Sequence, residues 1–133
     1  MRSKPLLTSS DAHTVMTACK TAAIATGWKV SIAIVDDGGY PLLLERMDGA
    51  GLLTPEVALR KARTAALSRA PTKNLEDRLR DRPAFLSLGE YLPLQGGLPI
   101  KIGDDCLGGV GVSGVQSHED EQIAAAGISA LQV

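Results

Sequence analysis

The chain has 133 residues, of which 44% are hydrophobic and 22% charged, with 14 lysines and arginines against 15 aspartates and glutamates. This composition is typical of a soluble globular protein, and the length predicts a single domain over residues 1–133. A net charge of −1 and 3% aromatic residues argue against nucleic-acid binding, which needs a basic surface and rings for base stacking.

No segment carries the apolar run that a signal peptide or a membrane span requires. The two cysteines, Cys19 and Cys106, lack the spacing of a metal site and are predicted to be reduced thiols. We therefore expect a cytoplasmic protein that makes no contact with a membrane.

The first helix is predicted to begin at Thr8 to Ser10 and to end at Gly27, because apolar residues recur at helical spacing between them. Two β-patterned runs follow, Trp28 to Asp36 and Tyr40 to Arg46, joined by a glycine-containing turn that favours a hairpin. Neither run has a strongly polar face. We therefore expect both strands to be covered on both sides, by helices and by a second subunit.

A cluster of functional side chains stands where the second run ends: Glu45, Arg46, Met47 and Asp48. Strand ends on a rigid scaffold often carry binding and catalytic residues. The cluster can equally cap a strand in water, and the sequence leaves both interpretations open.

The second helix is predicted from Thr54, as N-cap, to Ser68, with Pro55 in its first turn. Lys61 falls in the middle of its small apolar face. A lysine there can extend its ammonium group to the edge of the face, or it can be held inside to meet a carboxylate or an anionic ligand.

A short charged helix is predicted to follow, with Thr72 as its N-cap and its end at about Arg82. The segment after it is expected to tuck Phe85, Leu86 and Leu88 into the core. A tight turn at Gln95-Gly96-Gly97 then leads into the next strand.

The second hairpin pairs Leu98 to Ile102 with Cys106 to Val115, and Pro99 predicts an edge position for its first strand. Glycines occupy one face of the return strand, which marks close packing of a helix or the approach of a ligand. The last helix is predicted to begin at Ser117, with Asp120 completing a capping box. The element order predicts an α+β fold with one mostly antiparallel sheet.

Six motifs in the same order resemble the GlcG/HbpS family, the haem-degrading domain that also occurs at the C-terminus of PduO-type proteins. They are VDDGG (35–39), LERMDGA (44–50), KARTA (61–65), GGLPI (96–100), GGVGVSG (108–114) and DEQIA (120–124).

The resemblance implies a profilin-like fold with a five-stranded sheet, in the order α-β-β-α-α-β-β-β-α. It also implies a homo-oligomer, from a dimer up to an octamer, and haem as the candidate cofactor, which some members bind and some degrade. As haem-iron ligands we consider His13 and His118, with Met47 as a further donor. Both histidines are also plausible as plain surface residues.

The alternative is an enzyme or binding protein for an anionic metabolite such as a hydroxy or oxo acid. Arg46 or Lys61 would hold the carboxylate and Glu45 or Asp48 would act as a general base, giving Glu45, Asp48 and Lys61 as the catalytic set. The backbone amides of the Gln95-Gly96-Gly97 turn would stabilise negative charge that develops during the reaction. The remaining candidate ligand-binding residues are Met47, Arg63, Thr64, Gln95, Gly96 and Gly97. A third possibility is a non-enzymatic accessory protein. We expect the hairpin end, Lys61 and the Gly96-Gly97 turn to share one region.

Overall fold

The computed structural model describes residues 1–131, so Gln132 and Val133, the last two residues of the predicted domain, lie outside the described part. Its elements in chain order are α1 (Ser9–Thr26), β1 (Ser31–Asp36), β2 (Pro41–Arg46), α2 (Thr54–Ser68), α3 (Thr72–Leu79), a 3-10 helix (Pro83–Leu88), β3 (Gly97–Ile102), β4 (Asp105–Ser113) and α4 (Ser117–Ser129). The four strands form one antiparallel sheet in the order β2-β1-β4-β3. The predicted α+β fold is confirmed.

The predicted fifth strand is not observed, and β3 and β4 are the only strands that residues 1–131 form after α3. The segment before β3 uses its backbone elsewhere: the amide of Leu92 donates to Thr64 Oγ1 of α2 at 2.8 Å. Pro93 follows and has no amide to donate. This stretch therefore cannot form the regular ladder of a strand.

The start and end of α1 follow from local chemistry. Thr8 and Asp11 form a capping box, with the Asp11 amide donating to Thr8 Oγ1 at 3.1 Å and the Thr8 amide to Asp11 Oδ2 at 2.9 Å. Gly27 ends the helix at φ 73°, a left-handed conformation that glycine adopts without strain. Both predicted boundaries are confirmed.

The central strand β1 is buried on both faces. Ile32 and Ile34 pack with α1 and α4, whereas Ala33 and Val35 face α2. The edge strand β2 differs, because within one chain Leu44 keeps 45% of its surface exposed. The two-sided cover expected for β1 is confirmed, and the cover expected for β2 is not provided by this chain.

Helix α2 packs directly on the backbone of β4. A side chain at Gly109 would meet the carbonyl oxygen of Ala62, and one at Gly111 would meet that of Ala58. Of the two interpretations of this bare face, close packing of a helix is therefore the one observed. Pro99 lies in β3, at an edge of the sheet as predicted.

Three predicted helix caps are wrong. Leu53, and not Thr54, precedes α2, and Thr54 Oγ1 instead donates to the carbonyl oxygen of Gly51 at 2.7 Å. Thr72 is inside α3, where its hydroxyl accepts the amide of Gly97 at 2.9 Å. The capping box of α4 uses Gln116 and Glu119 rather than Ser117 and Asp120. Because Glu119 and not Asp120 makes the cap of α4, the side chain of Asp120 is available for the protein interior.

The segment after α3 also differs from expectation, because none of its three apolar residues is buried. Leu86 and Leu88 expose 67% and 44% of their surface, and Phe85 is half-buried. The Phe85 ring lies beside Arg78 and Arg82, with each guanidinium carbon 5.7 Å from its centroid. The ring therefore packs on α3 and not in the core.

Both cysteines are free thiols and both are buried, as predicted. Burial raises the pKa of Cys19 to about 12, so its thiol stays protonated. No helix within residues 1–131 is long and apolar enough to cross a membrane.

Candidate functional site

A groove opens where β2 ends against the C-terminal half of α1, and we call it the hairpin groove. Its volume is about 440 Å³, and it is lined by Lys20, Ile24, Gly27, Trp28, Lys29, Glu45, Arg46, Met47 and Asp48. The predicted cluster at the hairpin end thus forms one wall of a real groove. Helix α1 and the segment that joins it to β1 supply the other wall.

The groove carries more positive than negative side chains. Lys20 of α1 pairs with Glu45 of β2, with Nζ 2.7 Å from Oε2, and this bond ties the two walls together. Among residues 1–131, Lys29 and Arg46 have no carboxylate within ion-pairing distance. The groove therefore presents two cations and one carboxylate, that of Asp48, which lack an ion-pair partner among residues 1–131.

Lys61 does not reach this groove. Its side chain is 1% exposed, and its ammonium donates to the carbonyl oxygen of Val112 at 2.9 Å and to Asp120 Oδ2 at 3.1 Å. Asp120 Oδ1 also accepts the amide of Val115 at 3.2 Å. The ion pair links α2, β4 and α4 at one end of the sheet, and of the two interpretations of Lys61 the structure shows the buried one, with a carboxylate of the chain itself as partner.

The Gln95-Gly96-Gly97 turn lies next to Lys61, as expected, because a side chain at Gly96 would stand 2.7 Å from the lysine nitrogen. Two of its amides have partners within the chain. The amide of Gly97 donates to Thr72 and that of Gln95 to Glu76 Oε1 at 3.4 Å. The turn thus shares a region with Lys61, whereas the hairpin groove lies elsewhere.

Arg63 and Thr64 occupy a third location on α2. Arg63 lies beside Glu90, with a nitrogen–oxygen distance of 3.5 Å, and contributes to a cavity of about 160 Å³ with Leu67, Leu88 and Tyr91. Thr64 uses its hydroxyl for the backbone, donating to Arg60 and accepting from Leu92. The candidate residues other than the two histidines are therefore distributed over three separate places.

His13 is exposed on α1, at the edge of a shallow groove that we call the α1 groove. Its volume is about 770 Å³, and it is lined by Ser10, His13, Thr14, Thr17, Ala18, Thr21, Ala22, Ala25 and Ala130. His13 Nδ1 lies 2.8 Å from the carbonyl oxygen of Ser9. His118 is exposed in the first turn of α4, between Ser117 and Glu119.

Sequence reasoning did not identify Lys20, Trp28 and Lys29 as groove residues, nor Asp120 as the partner of Lys61. A signal for Lys20 and Ile24 exists in retrospect: they lie four residues apart and beside the apolar stripe, so they share one exposed face of α1. Within residues 1–131 no three His, Cys, Asp or Glu side chains are grouped to hold a metal ion.

One antiparallel sheet between helices, with solvent-open grooves along α1, defines a small α+β fold. Known proteins match this fold over nearly the whole chain. The chain belongs to the HbpS-like family: residues 7–129 match the family model described as "Haem degrading protein HbpS-like".

Individual relatives agree with this assignment. Protein GlcG of Escherichia coli strain K12 is 38% identical over 114 residues, which are 85% of this chain and 85% of GlcG. The crystal structure of HbpS has a TM-score of 0.93 and 36% identity, covering 100% of this chain and 95% of that one. The crystal structure of a PduOC–haem complex has a TM-score of 0.89 and 28% identity, covering 97% of both chains.

Proposed function

We propose that this chain binds haem, with His13 on α1 as the iron ligand. The observation that carries the proposal is the 2.8 Å contact between His13 Nδ1 and the carbonyl oxygen of Ser9. A carbonyl oxygen only accepts, so Nδ1 is the donor in this contact, and Nε2 is the nitrogen that the neutral ring would offer to a metal. An imidazole oriented in this way by its other nitrogen is the usual arrangement of a metal-ligating histidine.

The surface beside His13 suits a flat ligand. Thr17, Ala18, Thr21 and Ala22 have short side chains, so the α1 groove is shallow and wide, at about 770 Å³. A porphyrin could lie on this floor, and the hydroxyl groups of Thr17 and Thr21 would then be near its propionates. Bound haem would supply an iron centre able to bind a further ligand or to exchange an electron.

Two kinds of support come from relatives. The chain is an HbpS-like family member, and a structural neighbour, PduOC, was solved as a complex with haem. The two other candidate donors are less suitable. His118 stands beside Glu119, whose carboxylate would repel propionates, and Met47 is half-buried in the hairpin groove.

The proposal concerns haem binding and not haem degradation. The other residues that line the α1 groove are serine, threonine and alanine, none of which is an acid that could serve as a proton donor in haem degradation. A role in degradation would need a group from outside this groove.

A haemin titration tests the proposal. We expect wild-type protein to produce a shifted Soret band, and His13→Ala to lose it or to bind at least about tenfold more weakly. His118→Ala is the matched control, because it removes an exposed histidine from another helix, and it should bind like wild type. A Soret shift in His13→Ala equal to that of wild type would exclude His13, and no shift in wild type would exclude haem binding.

We further propose that copies of this chain associate into a homo-oligomer. Four large apolar residues stay exposed here: Tyr40 just before β2 (71%), Leu44 in β2 (45%), and Leu52 and Leu53 in the loop after it (85% and 69%). Such a set of large apolar side chains marks an interaction surface. The partner that we propose for this surface is a second copy of this chain, which would also cover the exposed face of β2.

Light scattering measures this association directly. Wild type should have the mass of at least a dimer, and the double variant Leu52→Asp, Leu53→Asp should approach the monomer mass. Leu86→Asp, at a residue with 67% exposure in the 3-10 helix, should keep the wild-type mass. A monomeric wild type contradicts the proposal.

A further inference from the structure

We propose that the hairpin groove is a second binding site, for a small monocarboxylate with a short apolar body. The proposal is independent of haem, because it concerns other residues than the α1 groove. It arises from three properties of the groove: uncompensated cations, an apolar wall and a rigid frame.

The cations provide the anchor. Arg46 at the end of β2 has no acidic partner within the described residues, and its guanidinium can take a carboxylate through two parallel hydrogen bonds. Lys29 is a second cation with no ion-pair partner among residues 1–131. Its aliphatic chain lies over Gly49, where any side chain would stand 2.6 Å from Lys29 Cδ. The absence of a side chain at Gly49 thus lets Lys29 reach the groove.

The apolar wall selects for the body of the ligand. Ile24 is 66% exposed, and the half-buried Trp28 and Met47 lie on the same groove. A volume of about 440 Å³ is within the range of sites for small molecules. A carboxylate on Arg46 would therefore place its apolar part against Ile24 and Trp28.

The acidic residues set the charge of the ligand. Glu45 is neutralised by Lys20 at 2.7 Å, whereas Asp48 has no basic partner in the described part of the chain. Its carboxylate would repel a second carboxylate and would accept a hydrogen bond from a hydroxyl. The groove should thus prefer monocarboxylates to dicarboxylates, and a hydroxyl group on the ligand should help.

The frame of the groove is fixed by backbone hydrogen bonds. The amide of Met47 donates to the carbonyl oxygen of Val30 at 3.0 Å, which extends the hairpin beyond β2, and that of Trp28 donates to Ala23 at 2.9 Å. These backbone contacts hold the walls in place before a ligand arrives, and the part-exposed Lys20–Glu45 pair adds little to them. Such preorganisation lowers the entropic cost of binding.

The experiment uses Trp28, the only tryptophan of the chain. Titration with benzoate, 2-hydroxybutyrate and succinate should change Trp28 fluorescence saturably for the two monocarboxylates and much less for succinate. Neutral benzamide should have no effect at the same concentration. Arg46→Gln should weaken binding by about tenfold or more, and Lys29→Gln by less. Arg60→Gln, on α2 and outside this groove, is the matched control and should bind like wild type.

Three results would overturn the proposal: no saturable change with any carboxylate, equal affinity in wild type and Arg46→Gln, or equal binding of benzoate and benzamide. His13→Ala, which is expected to lose haem, should keep its carboxylate affinity. The two proposals can therefore fail separately.

Discussion

Lys61→Met is expected to lower the free energy of unfolding by about 3–5 kcal/mol. Methionine keeps the approximate length of the side chain, so the loss would come from the charge and not from a cavity. In wild type the ammonium is 1% exposed and donates to Val112 and Asp120. Without it, the buried carboxylate of Asp120 keeps only the amide of Val115. Chemical denaturation gives the difference.

Lys73→Met is the matched control for this change. Lys73 also pairs with two carboxylates, Glu76 at 3.3 Å and Asp77 at 2.8 Å, but its side chain is 43% exposed. Exposed ion pairs contribute at most about 1 kcal/mol. Equal losses for the two variants would show that the Lys61–Asp120 pair is not a special determinant of stability. Adding Asp120→Asn to Lys61→Met should recover part of the loss, because it removes the unpaired charge.

The same variant should depend on pH more strongly than wild type, in which the raised pKa of Asp120 already makes stability fall as pH rises. Burial raises the pKa of Asp120 above its ordinary value, and the Lys61 charge opposes that rise. In Lys61→Met the opposition disappears, so the folded state keeps the Asp120 proton to a higher pH than the unfolded state does. Between the two pKa values the unfolded state binds fewer protons, and stability falls as pH rises, by about 1.4 kcal/mol per pH unit. Stability rising over this interval would contradict the assignment, and Asp120→Asn in the same chain should abolish the dependence.

The second large effect concerns Gly111 of β4, where Gly111→Ala should cost about 3 kcal/mol or more. A methyl group there would overlap the carbonyl oxygen of Ala58 and the amide nitrogen of Ala62. Both are backbone atoms of α2, so no side chain can rotate away. The helix would have to move off the sheet, which also disturbs its contact with Gly109. Thermal and chemical denaturation measure the loss.

Gly51→Ala is the control for this substitution. At Gly51 the nearest atom to an added side chain is Thr54 Cγ2 at 3.6 Å, an ordinary contact. Its stability should change by no more than about 0.5 kcal/mol. If Gly111→Ala lowered stability as little as Gly51→Ala, the glycine face of β4 would not determine how α2 packs on the sheet.

The elements that sequence predicted well are those with local causes. The capping box of Thr8 and Asp11 and the left-handed Gly27 lie within a few residues of the boundaries that they set, and so α1 was accessible to pattern reasoning. Lys61 and Asp120 are 59 positions apart, and no local rule relates them. Asp120 was moreover assigned to a cap that Glu119 makes, one position earlier. Because the cap was placed one residue too late in the sequence, a carboxylate that is buried was predicted to lie on the surface.

The site divides in the same way. Glu45 to Asp48 were recognisable because they follow a strand, and they do line a groove. Their neighbours Lys20 and Trp28 come from another part of the chain and join them only when α1 packs beside β2. For Lys61, the sequence indicated its position among alanines but did not indicate its partner. Hydrophobic periodicity indicates which residues turn inward, and it does not specify what they meet there.

The position of β1 has a consequence for the order of events during synthesis. Its first partner, β2, follows after a short turn, but its second, β4, lies far along the chain: Ile32 is opposite Val112. A ribosome adding about 5–20 residues per second therefore releases the apolar β1 several seconds before the strand that completes its ladder. During that interval the exposed edge of Val30 to Val35 is open to pairing with other nascent chains.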